Sequence, residues 1–202
     1  EGDVRHGVND QFAYVMAPVS IIVGLALTHV LAALGVGVNR LRGHGKPIRL
    51  EAVYLLWVAY VLLWIVSFWW WEFKFHELGT VWTFGLYLFV LLYSMLLFFM
   101  AVVLVPRGMK DLDDSYLFFM AGRKWFFAIL LVAAVVDFAD ALLKGLDWAL
   151  QPSYLLFLAL YVTAFVIGMR AESRRVQLVV AAFVFFYQVA YSWATLFVLG
   201  KW

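Results

Sequence analysis

Residues 80–105 read TVWTFGLYLFVLLYSMLLFFMAVVLV and contain no charged side chain. A helix rises 1.5 Å per residue, so it needs about 20 predominantly apolar residues to cross about 30 Å of hydrocarbon. Only a helix or a closed barrel satisfies its own backbone hydrogen bonds in lipid. Because the stretch lacks the strict alternation of a barrel strand, it predicts a helix that spans a membrane.

Five other stretches resemble this one in length and composition. The connections between them are short and polar, so we expect successive helices to be antiparallel neighbours. The sequence therefore predicts an all-α fold, a single domain of six transmembrane helices. Residues 115–122, which follow the capping-type Asp113 and Asp114, fit either an interfacial turn or an extension of the fourth span. The six predicted spans are residues 11–38, 52–71, 80–105, 125–143, 154–169 and 176–200.

The composition of the chain is also typical of a membrane protein. Of its 202 residues, 66% are hydrophobic and 14% are charged, whereas a soluble domain has about 45–50% apolar and about 25% charged residues. So much apolar surface would aggregate in water, and we expect membrane lipids to cover it. The net charge of +2 comes from scattered groups, which argues against a nucleic-acid partner. The lack of cysteine excludes disulfides and thiolate metal sites.

The distribution of arginine and lysine predicts the orientation of the helices. Loops that stay in the cytoplasm are enriched in these residues, and eleven of the fifteen lie in the first, third and fifth connections. We therefore expect a multi-pass protein of the inner (plasma) membrane, with these loops in the cytoplasm and both termini outside. The eleven are Arg40, Arg42, Lys46, Arg49, Arg107, Lys110, Arg123, Lys124, Arg170, Arg174 and Arg175, and the other four are Arg5, Lys74, Lys144 and Lys201. The chain begins at Glu1 and not at methionine, so we also expect that residues have been removed or left out upstream.

The fourth span carries the most informative charged residues. Asp137, Asp140 and Lys144 follow one another at spacings of three and four, which places them on one helical face. Measured from Trp125, Asp137 lies about 18 Å into the membrane, too deep for its short side chain to reach water. It predicts a proton or cation site, or else a hydrogen bond between helices. Asp140 and Lys144 are nearer the outer edge and predict an ordinary interfacial salt bridge.

Polar residues on other spans are candidates for a shell around Asp137. His29 lies in the first span, and it has no second histidine at ligand spacing, which argues against a bis-histidine haem. On the sixth span, Gln188 and Tyr191 begin a polar stripe that faces either other helices or a cavity. The candidate path for an ion, proton or substrate is thus Asp137, Asp140, His29, Gln188 and Tyr191. No pattern indicates a metal site or a particular cofactor.

The second span presents tryptophans on roughly one side. Trp57, Trp64 and Trp71 fit an aromatic belt at the membrane surface, or a site where a lipid tail or another apolar ligand stacks. We assign these three residues to lipid or hydrophobic-ligand contact.

Two segments carry a resemblance to a known group of proteins. The run VSIIVGLALTHVLAALG at 19–35 and WWWEF at 69–73 resemble small bacterial inner-membrane proteins that are uncharacterised. The resemblance covers the first third of the chain and implies no activity. The sequence has no G-x-S-x-G, H-E-x-x-H, P-loop or G-x-G-x-x-G motif, so we expect a protein that is not an enzyme.

Two functions fit these observations. The first is a channel or transporter for a proton, cation or small solute, with Asp137 as the binding group. The alternative is a structural or accessory subunit of a larger membrane complex, whose aromatic and small-residue faces bind partner helices, lipids or pigments. Either function is compatible with a homo-oligomer or a larger assembly.

Overall fold

The computed structural model describes residues 2–106 and 112–195, with side chains from residue 11 onward. Within these ranges the chain forms seven helices and no strand, apart from a single bridge between Arg49 and Asp114. The helices are α1 (Gly2–Leu41), α2 (Ala52–Glu77), α3 (Phe84–Leu104), α4 (Ser115–Lys144), α5 (Leu146–Ala149), α6 (Pro152–Arg170) and α7 (Arg174–Thr195).

Six of these helices are long and apolar enough to cross a membrane. The predicted fold class, an all-α bundle of six spans, is therefore confirmed. The remaining helix, α5, has four residues and lies in the connection between α4 and α6. Residues 196–200 of the sixth predicted span lie outside the described part of the chain, as do Arg107, Lys110, Lys201 and Trp202.

Two of the helix boundaries that differ from the predicted spans have clear physical reasons. The fourth helix starts at Ser115, because the Asp114 side chain accepts hydrogen bonds from the backbone N–H groups of Tyr116 and Leu117 at 2.9 and 3.0 Å. Residues 115–122 are thus an extension of this helix and not an interfacial turn. The second helix continues beyond Trp71 to Glu77, because a charge inside the bundle is tolerated where it has a partner.

The helix α2 lies at the centre of the bundle. It contacts α1, α3, α4 and α7, and half of its most apolar window is buried, compared with 22–39% in the other five spans. Each spanning helix also contacts its successor along the chain, as the short connections predict. The core is a continuous cluster of apolar and aromatic side chains that includes residues of all six spans.

The connections rich in arginine and lysine meet at one end of the bundle, here called the basic end (residues 42–51, 112–114 and 171–173). The Arg49 N–H donates to the Asp113 carbonyl at 2.9 Å. The Glu51 carboxylate pairs with Arg49 at 2.8 Å and also with Arg174 at the start of α7. The opposite end, here called the aromatic end, holds residues 78–83 and 145–151. Which end faces the cytoplasm stays a prediction.

Candidate functional site

A partly open cavity of about 80 Å³ lies inside the bundle toward the aromatic end. It is lined by the stretch of α2 from Tyr60 to Trp71, by α3, α4 and α5, by the first half of α6, and by α7. Ten of its fifteen lining residues are aromatic: three tryptophans, five tyrosines and two phenylalanines. Asp137 is the charged residue among the fifteen.

The carboxylate of Asp137 is held by hydroxyl groups from two neighbouring helices. Tyr93 on α3 donates to Asp137 Oδ1 at 3.0 Å, and Tyr154 on α6 donates to Oδ2 at 2.8 Å. Among the described residues, no basic side chain forms an ion pair with Asp137. Its negative charge is therefore oriented by neutral donors and left without a counter-ion at the cavity wall.

A buried ionic triad of Glu72, Asp140 and Lys144 lies beside the cavity. The Lys144 ammonium is 2.8 Å from Glu72 Oε1 and 2.5 Å from Asp140 Oδ2, and all three side chains are fully buried. The indole N–H of Trp71 donates to Asp140 Oδ2 at 2.9 Å. Because Trp71 also lines the cavity, it connects the triad with the space in front of Asp137.

The charges in this region do not balance. Asp137, Asp140 and Glu72 provide three carboxyl groups against the one ammonium of Lys144, which leaves a formal charge of −2 if all are ionised. Two buried acceptor atoms, Glu72 Oε2 and Asp140 Oδ1, also lack a hydrogen-bond partner. Burying uncompensated charge is expensive. The region is therefore suited to take up protons or a cation.

Three of the five residues predicted for the ion, proton or substrate path meet at the cavity. Asp137, Gln188 and Tyr191 all line it. The Gln188 side chain also accepts a hydrogen bond from the Tyr161 hydroxyl at 2.8 Å and donates to Ser192 Oγ at 3.1 Å. The polar stripe on the sixth span thus contacts another helix and faces a cavity at the same time.

The interfacial salt bridge predicted for Asp140 and Lys144 needs correction. The pair forms, but both side chains are fully buried inside the bundle. The Lys144 ammonium also pairs with Glu72. Sequence reasoning placed these residues near the membrane surface because they end an apolar run. The structure surrounds their side chains with α2 and with the aromatic rings of Trp71 and Phe75, which lie 4.9 and 4.5 Å from the Lys144 ammonium, so the pair is not exposed at the surface of the bundle.

His29 does not belong to the group around Asp137. Its ring Nε2 lies 2.8 Å from the Val105 carbonyl, where α3 ends near the basic end of the bundle. Asp137 lies near the other end, seven residues or ~10 Å before Lys144. The histidine therefore satisfies an otherwise free backbone acceptor at a helix terminus, and it does not line the cavity.

The three tryptophans of the second span separate into two environments. Trp64 and Trp71 line the cavity. Trp57 is fully buried and packs against Phe126 and Phe127 at ring distances of 5.3 and 5.2 Å. The assignment of Trp57 to lipid or ligand contact was therefore wrong, because its side chain is fully buried inside the bundle and does not line the cavity.

Sequence reasoning missed several residues of the site. Glu72 lies directly after three tryptophans and just beyond the predicted end of the second span, and the sequence does not distinguish Tyr154 and Trp148 from residues of an aromatic belt. Tyr93 lies in an apolar run with no spacing signal that links it to Asp137. A stronger signal was the number of acidic side chains in the spans, since each one requires a partner inside the bundle.

Comparison of the chain with protein-family models, curated protein sequences and solved structures gave no match. The class of the protein therefore follows from the fold and the site. It is a polytopic α-helical membrane protein in which a carboxylate faces an aromatic cavity inside the bundle.

Proposed function

We propose that this protein is a non-enzymatic channel or transporter for a proton, a cation or a small solute that carries positive charge, and that Asp137 binds the transported species. The observation that carries this proposal is the position of Asp137. It is the charged group on the wall of a partly open cavity within the bundle, and its hydrogen bonds come from neutral hydroxyls. A carboxylate in this setting attracts a cation or a proton.

The neighbouring triad supports the choice of Asp137 over Asp140. The Asp140 carboxylate already binds Lys144 and Trp71 and is fully buried. The cavity reaches Asp137 but does not include Asp140. A solute would therefore meet Asp137, and the triad would set the electrostatic potential behind it.

Flux measurements on reconstituted vesicles test this role. Asp137→Asn keeps the shape of the side chain and removes the charge. We expect proton or monovalent-cation flux to fall at least ~10-fold, because the change removes the attraction for the bound cation. Asp147→Asn is a matched control, since Asp147 is exposed in α5 at the same end of the bundle. Flux that survives Asp137→Asn unchanged would exclude Asp137 as the binding group.

A second candidate function, a subunit of a larger membrane complex or of a homo-oligomer, is favoured by the outer face of α1. Gly24, Thr28, Ala32 and Gly35 are all exposed there. A Cβ atom added at Gly24 or Gly35 would meet nothing within 4 Å, so packing inside the chain does not require these glycines. Small residues at spacings of three and four share one helical face, and such faces are typical of close helix packing in membranes.

Purification from native membranes in mild detergent separates the two candidates. Reproducible co-migration with other chains would favour the subunit. A protein that migrates alone or as a small homo-oligomer and conducts cations after reconstitution would favour transport.

We further propose that the protein resides in a bacterial inner membrane with the basic end in the cytoplasm. The support is the concentration of arginine and lysine at that end, which matches the enrichment of these residues in loops that stay in the cytoplasm.

A further inference from the structure

We propose that the cavity at Asp137 binds a small organic cation, specifically an alkylammonium group. Its positive charge would face the Asp137 carboxylate, and its methyl or methylene groups would lie against the aromatic rings. This inference rests on the proposed function, because it names the chemical class of the solute that Asp137 binds.

The first argument is the density of aromatic rings around one carboxylate. A cation is attracted to the face of an aromatic ring, most strongly to tryptophan and most strongly where water is excluded. Trp64, Trp71 and Trp148 all line the cavity, and the rings of Trp71 and Trp148 lie 5.0 Å apart. A cation–π contact of this kind already exists beside the cavity, where the Lys144 ammonium lies over the Trp71 and Phe75 rings.

The second argument is the shortage of oxygen ligands for a metal cation. Ions such as Ca²⁺ take about six to eight oxygen ligands and Mg²⁺ takes about six. The hydroxyls of Tyr93 and Tyr154 are directed at Asp137, and that of Tyr161 is directed at Gln188. Within residues 2–106 and 112–195, no three acidic or histidine side chains are grouped as a metal site. An organic cation needs one counter-charge and apolar contact, and the cavity supplies both.

The third argument is an unused polar group in the wall. Tyr60 is fully buried and lines the cavity, and its hydroxyl has no hydrogen-bond partner. A buried hydroxyl normally finds a partner, and a polar group of a bound solute can supply one at this wall. The cavity volume of about 80 Å³ exceeds the ~10–15 Å³ of such space that one water molecule needs. A compact ammonium headgroup with a polar substituent matches both observations.

Calorimetric titration of the purified protein in detergent with choline tests the proposal, with 3,3-dimethylbutan-1-ol as its uncharged isostere. We expect choline to bind at least ten-fold more tightly than the isostere, and equimolar K⁺ not to displace it. Asp137→Asn should weaken choline binding at least ten-fold. Trp148→Leu should weaken it about 5- to 30-fold, the range of one desolvated cation–π contact, whereas Trp148→Phe should stay within about threefold.

The control variant is Trp125→Leu, because Trp125 also lies in the membrane region but is 76% exposed and does not line the cavity. It should leave choline affinity unchanged. Equal binding of choline and its isostere, or an affinity that Asp137→Asn does not alter, would overturn the proposal. Loss of ion flux in Asp137→Asn without any choline binding would overturn this inference alone. Asp137-dependent choline binding without flux of any cation would instead contradict transport.

Discussion

Lys144 places a single ammonium group between two carboxylates, Glu72 and Asp140, in a region that excludes water. Removing one partner of a buried ion pair leaves an uncompensated charge, which is more damaging than removing the whole group. We expect Lys144→Met to destabilise the bundle by about 3 to 5 kcal/mol. Unfolding in mixed micelles with increasing denaturing detergent measures the change.

A second lysine provides the control for this prediction. Lys74 pairs with Glu77 at 3.5 Å, and both side chains remain partly exposed. Lys74→Met should therefore cost less than about 1 kcal/mol. Adding Glu72→Gln and Asp140→Asn to Lys144→Met should recover much of the lost stability. A triple variant as unstable as Lys144→Met would show that packing around the lysine, and not its charge, dominates.

Asp137 and its partners differ in how far the sequence alone reveals them. Asp137 was identifiable because a carboxylate in an apolar helix needs a partner, and that requirement is local. The identity of the partner is not local, since Tyr93 and Tyr154 come from two other helices. His29 is also a polar residue in an apolar helix, but its ring satisfies a backbone carbonyl. The sequence identifies polar residues in apolar helices. Which of them share a site depends on how the helices pack.

At the scale of helices, the contact between α4 and α6 depends on Gly168. A Cβ atom at this position would lie 2.3 Å from Cζ of Phe127, a ring that is itself fully buried among other aromatic side chains. We expect Gly168→Ala to destabilise the bundle by about 1 to 3 kcal/mol, because overpacking forces neighbouring side chains to shift. Thermal unfolding in detergent micelles measures it.

The same substitution on α1 is the control, since a Cβ atom at Gly24 would meet nothing within 4 Å. Alanine has a better helix propensity than glycine by roughly 0.5 to 1 kcal/mol, so Gly24→Ala should be neutral or slightly stabilising. Equal losses in the two variants would mean that the close contact at Gly168 is relieved at little cost.

The boundaries of the helices were harder to predict than their number. The predicted second span ends at Trp71 because charged residues follow it. The helix nevertheless continues, because Glu72 forms an ion pair with Lys144 from α4. The fourth helix starts ten residues before the predicted Trp125, at a cap that the sequence marked with Asp114. Hydropathy therefore locates the membrane-compatible part of each helix. The ends of each helix depend on ion pairs and caps that form only in the folded bundle.

For the whole molecule, the fold class followed from composition and the lengths of the apolar runs, because lipid leaves few ways to satisfy a backbone. The arrangement of the helices did not, since six similar apolar helices have many packing orders. The central position of α2 depends on side chains such as Trp57 and Glu72, which are buried from every side. A single sequence does not reveal that difference between α2 and its neighbours.

The orientation of the bundle is testable because the chain contains no cysteine. Single cysteines at His44 and Asp147 occupy exposed positions at the basic and aromatic ends, respectively. If the basic end faces the cytoplasm, a membrane-impermeant thiol reagent added to intact cells should label Asp147→Cys and leave His44→Cys unlabelled. Both variants should react after the membrane is permeabilised, which controls for local access. The reverse pattern would place the basic end outside, and the cavity at Asp137 would then open from the cytoplasmic half of the bundle.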